Sequence, residues 1–252
     1  IAPDQVYNLA GISSVAASWE RPVETAEVNA VGALGLLEAA RRVVETTGKR
    51  VAFVQAASAE VFGEPAETPQ DEGTPIRPVN PYGMSKAFAH QAAAVYRTHG
   101  VHACSLILYN HESPRRPGGF VTRKITSTAA AIAQGRADEL ALGNLDARRD
   151  WGWAPDYVHA MRLAAEHPEP GDYVIATGEG HSVREFVAAA FARAGVADWQ
   201  RYVRVDPAFL RPADPTELRG DAGKARRVLG WTPSVTFDEL VARMVEADLE
   251  AS

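Results

Sequence analysis

Arg50-Val51-Ala52-Phe53-Val54-Gln55-Ala56 runs into Ala57-Ser58-Ala59-Glu60-Val61-Phe62-Gly63 and, after a polar stretch, Asn80-Pro81-Tyr82-Gly83-Met84-Ser85-Lys86. These residues decide the fold. The first run is apolar throughout rather than alternating, the pattern of a strand buried on both faces. The last stretch opens a helix: Asn80 is suited to cap it, and Pro81 stands at the first helical position, where no amide donor is needed. A buried strand, a turn and a long helix make one β-α unit.

The same alternation extends outward. Short apolar runs lie at Val6–Ala10, Ala103–Tyr109 and Tyr173–Ala176, and Ala26–Glu45 and Pro81–His99 carry apolar residues at three- and four-residue spacing. This predicts parallel β-α-β units and an open sheet covered on both faces. After the proline- and glycine-rich loop His111–Gly119, Phe120–Gln134 predicts another helix. Ser182-Val183-Arg184-Glu185 fits a capping box. Ser182–Ser252 reads as mostly helical, with one strand near Tyr202–Val205, and the chain holds no internal repeat or low-complexity tract.

Composition narrows the function classes. The chain has 252 residues, 46% hydrophobic and 23% charged, as in ordinary soluble globular proteins. Its net charge of −6 argues against holding nucleic acid through its bulk field. One cysteine, Cys104, excludes an internal disulfide framework and a cysteine-built zinc site; its apolar run predicts an inert buried thiol. The histidines lack ligand spacing, so no metal is predicted. No apolar run approaches the roughly 20 residues of a membrane span, and no signal peptide precedes the first strand. The expectation is a soluble, cytoplasmic protein. The chain starts at Ile1, at the edge of a strand and without methionine, which leaves a cut chain and a processed terminus both open.

Tyr82 and Lys86, four residues apart, share one helix face. The ammonium is expected to lower the phenol's pKa, letting the tyrosine act as a base near neutrality. Alone, Y-x-x-x-K is common on solvated helix faces. Here it follows a strand whose carboxyl end carries Ser58 and Glu60, and such strand ends line the ligand crevice of open parallel sheets. Hydroxyl, phenol and amine suit hydride transfer from a sugar hydroxyl, and the carboxylate adds what proton abstraction and loss of water need. The competing reading for Ser58 and Glu60 is turn chemistry at a strand end.

With these residues the chain resembles the extended short-chain dehydrogenase/reductase superfamily and, within it, the GDP-mannose 4,6-dehydratase family. The resemblance is carried by Tyr7-Asn8-Leu9-Ala10, Gln55–Gly63, Asn80-Pro81-Tyr82 with Lys86, and above all Asn110-His111-Glu112-Ser113-Pro114-Arg115-Arg116. It continues through Phe120–Ile125, Arg149-Asp150-Trp151-Gly152, Asp172–Gly178, His181–Phe186, Arg211-Pro212, Gly220-Asp221 and Leu229-Gly230-Trp231. It implies an α/β fold: a Rossmann-like doubly wound parallel sheet lacking its N-terminal strands, with a smaller, mostly helical substrate-binding lobe. Residues 1–117 and 150–179 would form the dinucleotide-binding part, and 118–149 and 180–252 the nucleotide-sugar lobe.

The resemblance also implies a reaction and its residues. Ser58, Glu60, Tyr82 and Lys86 match the catalytic positions: Tyr82 the base at C4, Lys86 the residue that holds the nicotinamide ribose, Glu60 the base at C5. GDP-mannose would become GDP-4-dehydro-6-deoxymannose, with NADP regenerated in each turnover. Leu9, Ala10, Ser13, Lys86, His111 and Arg116 would contact NADP; Asn110, Val121, Lys124, Arg149, Arg211 and Asp214 would hold the nucleotide sugar. Exposed charge and surface salt bridging are the competing readings for the arginines; the proline-rich loop predicts solvent access for Arg115 and Arg116. Trp151, Trp153 and Trp231 read as packing residues. Ser58 replaces a usual threonine, Ala59 a usual serine, and Trp153 and Pro155 stand where histidine and lysine are common. These departures bear on the sugar pocket rather than the reaction type.

Two other readings stay open: another nucleotide-sugar epimerase or reductase of this superfamily, which needs no base at Glu60, and a truncated, non-catalytic binding protein. No glycine-rich dinucleotide turn follows the first strand, and the match sets Tyr7–Ala10 at the fourth strand, so about 60–90 residues would precede Ile1 at about 30 per β-α-β unit. NADP rather than NAD therefore rests on the resemblance alone. The chain by itself is expected to bind cofactor poorly and to expose an unpaired sheet edge. Family members imply a homo-oligomer, dimer or tetramer.

Overall fold

The computed structural model describes residues 2–209 and 217–251. β1 (Gln5–Asn8) leads into α1 (Val15–Glu20), where the Ser14 side chain accepts the Ala17 N–H, and α2 (Pro22–Ala26). A π-helical turn, Glu27–Val31, then feeds α3 (Gly32–Thr47), which ends on Gly48 at φ 67°. The left-handed conformation suits glycine because it lacks Cβ. The single helix expected over Ala26–Glu45 is therefore wound differently in its first turn.

β2 (Ala52–Ser58), α4 (Pro81–Arg97) and β3 (His102–Leu108) follow, each within two residues of expectation. Then come β4 (Asn110–Glu112), α5 (Val121–Ala133), β5 (Leu140–Leu142), β6 (Arg148–Trp153), α6 (Ala154–Glu166) and β7 (Asp172–Ile175). The remaining elements are β8 (Gly180–Ser182), α7 (Val183–Arg193), β9 (Val203–Val205), β10 (Glu217–Leu218), α8 (Gly223–Leu229) and α9 (Phe237–Glu250). The loop expected over His111–Gly119 thus begins inside a strand, and the last third carries β8 and β10 beside the expected strand. Two- and three-residue strands are too short to show a period.

The main sheet runs β1-β2-β3-β7, all parallel. Side chains alternate across it. Phe53 and Ala103 meet Leu37 of α3 and Ala93 of α4 on one face. Val54, Cys104 and Leu106 meet Tyr157 and Met161 of α6, with Ala225 of α8 and Trp231, on the other. Cys104 is fully buried, its Sγ 3.3 Å from the Ala164 carbonyl, and burial raises its pKa. Trp231 is likewise buried and donates from Nε1 to the Asp156 carbonyl at 2.8 Å, a packing role.

A second core lies among α5, α7 and α9, where Ile125, Phe186, Phe191, Leu240 and Met244 surround Trp151 of β6. Capping boxes at Ser182 and Thr236 start α7 and α9. β6 pairs with β4, β10 and, antiparallel, β8. Buried Asp150 on β6 accepts from the Thr177 N–H, the Thr177 hydroxyl and the Gly178 N–H, at 2.7 to 2.8 Å, tying the two cores together. Among the described strands β1 pairs only with β2. Among the described residues no helix is long and apolar enough to cross a membrane, and no group of three or more His, Cys, Asp or Glu could hold a metal.

Candidate active site

Ser58 is the last residue of β2, and its Oγ accepts the Glu60 N–H at 3.3 Å, opening a 3-10 turn over Ala59–Phe62. That turn directs Glu60 toward α4. Asn80 Nδ2 donates to Glu60 Oε2 at 2.8 Å, while Asn80 Oδ1 accepts the Gly83 N–H at 2.7 Å and so caps α4. Gly83 makes the approach possible: a Cβ there would lie 2.5 Å from the Glu60 carbonyl oxygen. Turn and helix start are pressed together, and Ser58 makes the turn hydrogen bond that the strand-end reading expects.

Tyr82, in the first turn of α4, is buried, and its N–H donates to Ser18 Oγ at 3.2 Å. Burial pushes the Tyr82 pKa up; a hydrogen bond with Ser58 and the charge of Arg116 pull it down, while Glu60 raises it. This corrects the expectation that Lys86 lowers it. The Lys86 ammonium lies 5.9 Å from the Tyr82 ring centroid and donates to the Ala56 carbonyl at 3.0 Å. Burial brings Lys86 down to about 8. The phenol's anionic form is favoured by Ser58 and Arg116, and Lys86 is aimed past it at the end of β2.

The loop after β1 lies beside Lys86. A Cβ on Gly11 would sit 3.5 Å from Lys86 Nζ, and the loop also carries Leu9, Ala10 and Ser13, all exposed. Asn29, in the π-helical turn, is buried and holds this loop from both sides, accepting the Ile12 N–H at 2.8 Å and donating to the Ile12 carbonyl at 3.0 Å. It also lies 3.0 Å from Ser85 Oγ of α4. Sequence reasoning missed Asn29. The π-turn that places it has no hydrophobic period of its own, though such turns recur at functional sites.

Asn110 and His111 stand on β4, opposite Trp151 and Gly152. His111 Nδ1 is 2.8 Å from the Tyr109 carbonyl, and burial holds the imidazole down to about 4. Arg115 is exposed as expected. Arg116 is not: its side chain is 23% exposed, its guanidinium lies 3.7 Å from the centroid of Phe120, and Nε sits 3.3 Å from Glu112 Oε2 without hydrogen-bond geometry. Glu112 is itself buried and accepts from the Thr122 hydroxyl at 2.7 Å. A buried acid behind Arg116 has no sequence signal beyond its place in the motif.

Val121 and Lys124 open α5, and Lys124 Nζ lies 3.6 Å from the Phe209 ring centroid. Arg149 on β6 is buried and donates to the Arg148 carbonyl at 2.7 Å. Arg211 and Asp214 lie outside the described residues. The fold gathers Ser58, Glu60, Asn80, Tyr82 and Lys86 at the carboxyl end of β2. Val121 and Lys124 stand on α5 and Arg149 on β6.

Residues 1–244 match the family model described as GDP-mannose 4,6 dehydratase. The chain belongs to this family. GDP-mannose 4,6 dehydratase 2 of Arabidopsis thaliana is 51% identical over 251 residues, 99% of this chain and 67% of that protein. The GDP-mannose 4,6-dehydratase of Vibrio cholerae serotype O1 is 43% identical over 99% of this chain and 74% of its own length. Among solved structures, RMD from Pseudomonas aeruginosa complexed with NADPH has a TM-score of 0.88 at 25% identity, covering 100% of this chain and 83% of that one. Thermus thermophilus UDP-glucose 4-epimerase complexed with NAD has a TM-score of 0.84 at 32% identity, covering 99% and 79%. GDP-mannose 4,6-dehydratase membership and these neighbours agree with the α/β Rossmann-like fold expected from the sequence.

Proposed function

We propose that this chain carries the 4,6-dehydratase chemistry of its family: GDP-mannose to GDP-4-dehydro-6-deoxymannose and water. The observation that carries the reading is Glu60, held by Asn80 at 2.8 Å beside the Ser58–Tyr82 pair. The residues at hand fit a nicotinamide dinucleotide. Lys86 offers an ammonium at the strand end, and Arg116 has a buried Nε without a hydrogen-bond partner beside an accessible loop. Lys86, Leu9, Ala10, Ser13, His111 and Arg116 would hold NADP, which when bound accepts the C4 hydrogen as hydride and returns it to C6.

The protein's own groups move the protons. Tyr82, whose phenolate burial and Glu60 oppose and Ser58 and Arg116 favour, takes the proton of the C4 hydroxyl as the ketone forms. The ketone acidifies C5, and Glu60 removes that proton. The Glu60 carboxylic acid then protonates the departing C6 hydroxyl, which leaves as water. When C6 is reduced, Tyr82 returns its proton to C5 and is phenolate again. Asn110, Val121, Lys124, Arg149, Arg211 and Asp214 are proposed to hold the nucleotide sugar. Residues 1–117 with 150–179 are proposed as the dinucleotide-binding part and 118–149 with 180–252 as the sugar lobe. A cytoplasmic homo-oligomer is the setting proposed for it.

The test is incubation of the full-length protein with GDP-mannose and NADP in deuterated water. A 4-keto-6-deoxy product with deuterium at C5 is expected. An epimerised sugar without C5 deuterium would sink the dehydratase reading.

A further inference from the structure

His111 is the middle residue of β4, and across the sheet it faces Gly152 of β6. Its ring is stacked on Tyr157, with centroids 4.7 Å apart and planes 22° from parallel. Tyr157 comes from α6, which starts directly after β6. Gly152 makes the room: a Cβ there would lie 2.5 Å from Tyr157 Cε2 and 2.8 Å from its Oη. The tyrosine ring fills the space a side chain would take. Edge-on, it also meets buried Trp231 at 6.1 Å and 82°. Close packing of this kind leaves a ring one orientation.

His111 Nδ1 lies against the Tyr109 carbonyl, which only an N–H can satisfy, so Nδ1 carries the proton. Nε2 is then an acceptor, and among the described residues it makes no hydrogen bond. The charges acting on the ring are those of Lys86 and Arg116, which disfavour its protonation. Tyr157 Oη is buried without a partner, so the ring rather than the hydroxyl does the holding.

We propose that Tyr157, seated over Gly152, is a positioning residue that keeps the His111 imidazole in one orientation and one tautomer, presenting Nε2 as a fixed acceptor to an N–H or O–H donor of the bound dinucleotide. The ligand rests on the cofactor reading above; the positioning does not. A stacked partner limits rotation of the imidazole while leaving its lone pair free. A neutral ring beside two cations also avoids repelling them, which suits recognition of an uncharged amide or ribose hydroxyl.

The experiment uses the full-length protein with ¹⁵N-labelled histidine. Without ligand, His111 (assigned through H111Q) is expected to show protonated Nδ1 and bare Nε2 in wild type and in Y157F. In Y157L the tautomers should mix, and the His111 pKa should rise by at least one unit. NADP titration should give affinity within about twofold of wild type for Y157F and at least tenfold weaker for Y157L. G152A, which pushes the ring from the strand side, should act in the direction of Y157L even if Y157L does not fold. A 3-acetylpyridine analogue of NADP separates the donors: the Y157L effect vanishes with it if the donor is the amide and persists if it is a ribose hydroxyl. The proposal is overturned if Y157L and G152A keep the wild-type tautomer and affinity, or if Y157F loses as much as Y157L. If wild type binds no NADP, the cofactor reading fails, and the ligand-free spectra still decide the role of Tyr157.

Discussion

Asn80 grips Glu60 and the start of α4 with one amide: Nδ2 donates to Glu60 Oε2 at 2.8 Å, and Oδ1 accepts the Gly83 N–H at 2.7 Å. N80S separates the two tasks, because a serine hydroxyl caps a helix but does not reach Glu60. Thermal unfolding should show a stability change of no more than about 1 kcal/mol. Dehydration measured as keto-sugar formation should slow by about 10- to 100-fold. A wild-type rate in N80S would show that Glu60 needs no such support.

E60Q keeps a side chain that accepts from Asn80 but removes the C5 base. Reduced cofactor should still appear in a single turnover, while product formation and C5 deuterium uptake fall by about 10²- to 10⁴-fold. Loss of cofactor reduction in equal measure would instead place Glu60 in the first step.

Lys86 binds its proton up to about 8 in the folded chain, against 10.5 for an ordinary lysine. Between those values the unfolded chain holds more protons, so stability rises with pH across that window. Below it the buried cation costs on the order of 3 kcal/mol, offset in part by the hydrogen bond to the Ala56 carbonyl. K86M should therefore raise the unfolding midpoint at pH 7, flatten its rise between pH 8 and 10, and abolish turnover. A lower midpoint at pH 7 would contradict the cost assigned to this cation.

His111 titrates at about 4 in the folded chain, against 6.5 for an ordinary histidine. As pH falls from 6.5 to 4 the unfolded chain takes up a proton that the folded chain refuses, and stability is lost, by on the order of 3 kcal/mol. Urea unfolding of H111Q over the same range should show a shallower decline than wild type. Parallel declines would assign the acid sensitivity elsewhere.

Removing the Asp150 carboxylate in D150A strands the Thr177 and Gly178 N–H groups between β6 and the end of β7. These partly buried donors, with the Thr177 hydroxyl and the Gly220 N–H that also lose Asp150, should lower stability by about 2–4 kcal/mol, read as a shift in the denaturation midpoint. T177V, which removes only the hydroxyl donor, should cost about 1 kcal/mol.

Much of this was legible in the residues. β2, β3 and α4 form where continuous apolar runs and three- and four-residue spacing put them, because their length lets the period show. The caps at Asn80 and Ser182 depend on neighbours in sequence and form as read. The π-turn holding Asn29, the short strands β4, β8 and β10, and the buried Glu112 behind Arg116 were not legible. Each exists only through a partner far along the chain or through a backbone irregularity.

The fold class was carried by local periodicity, a property of neighbouring residues, while the family, and Ser58, Glu60, Tyr82 and Lys86 as candidates, came from the resemblance of whole motifs. Tertiary structure decided how those groups act on one another. It buried Tyr82 so that its pKa rises, gave the task of lowering it to Ser58 and Arg116, and left Lys86 bound to Ala56. It also set Tyr157 over Gly152 beneath His111. Desolvation and stacking between a helix and a strand depend on distances between segments, which no spacing along one chain encodes.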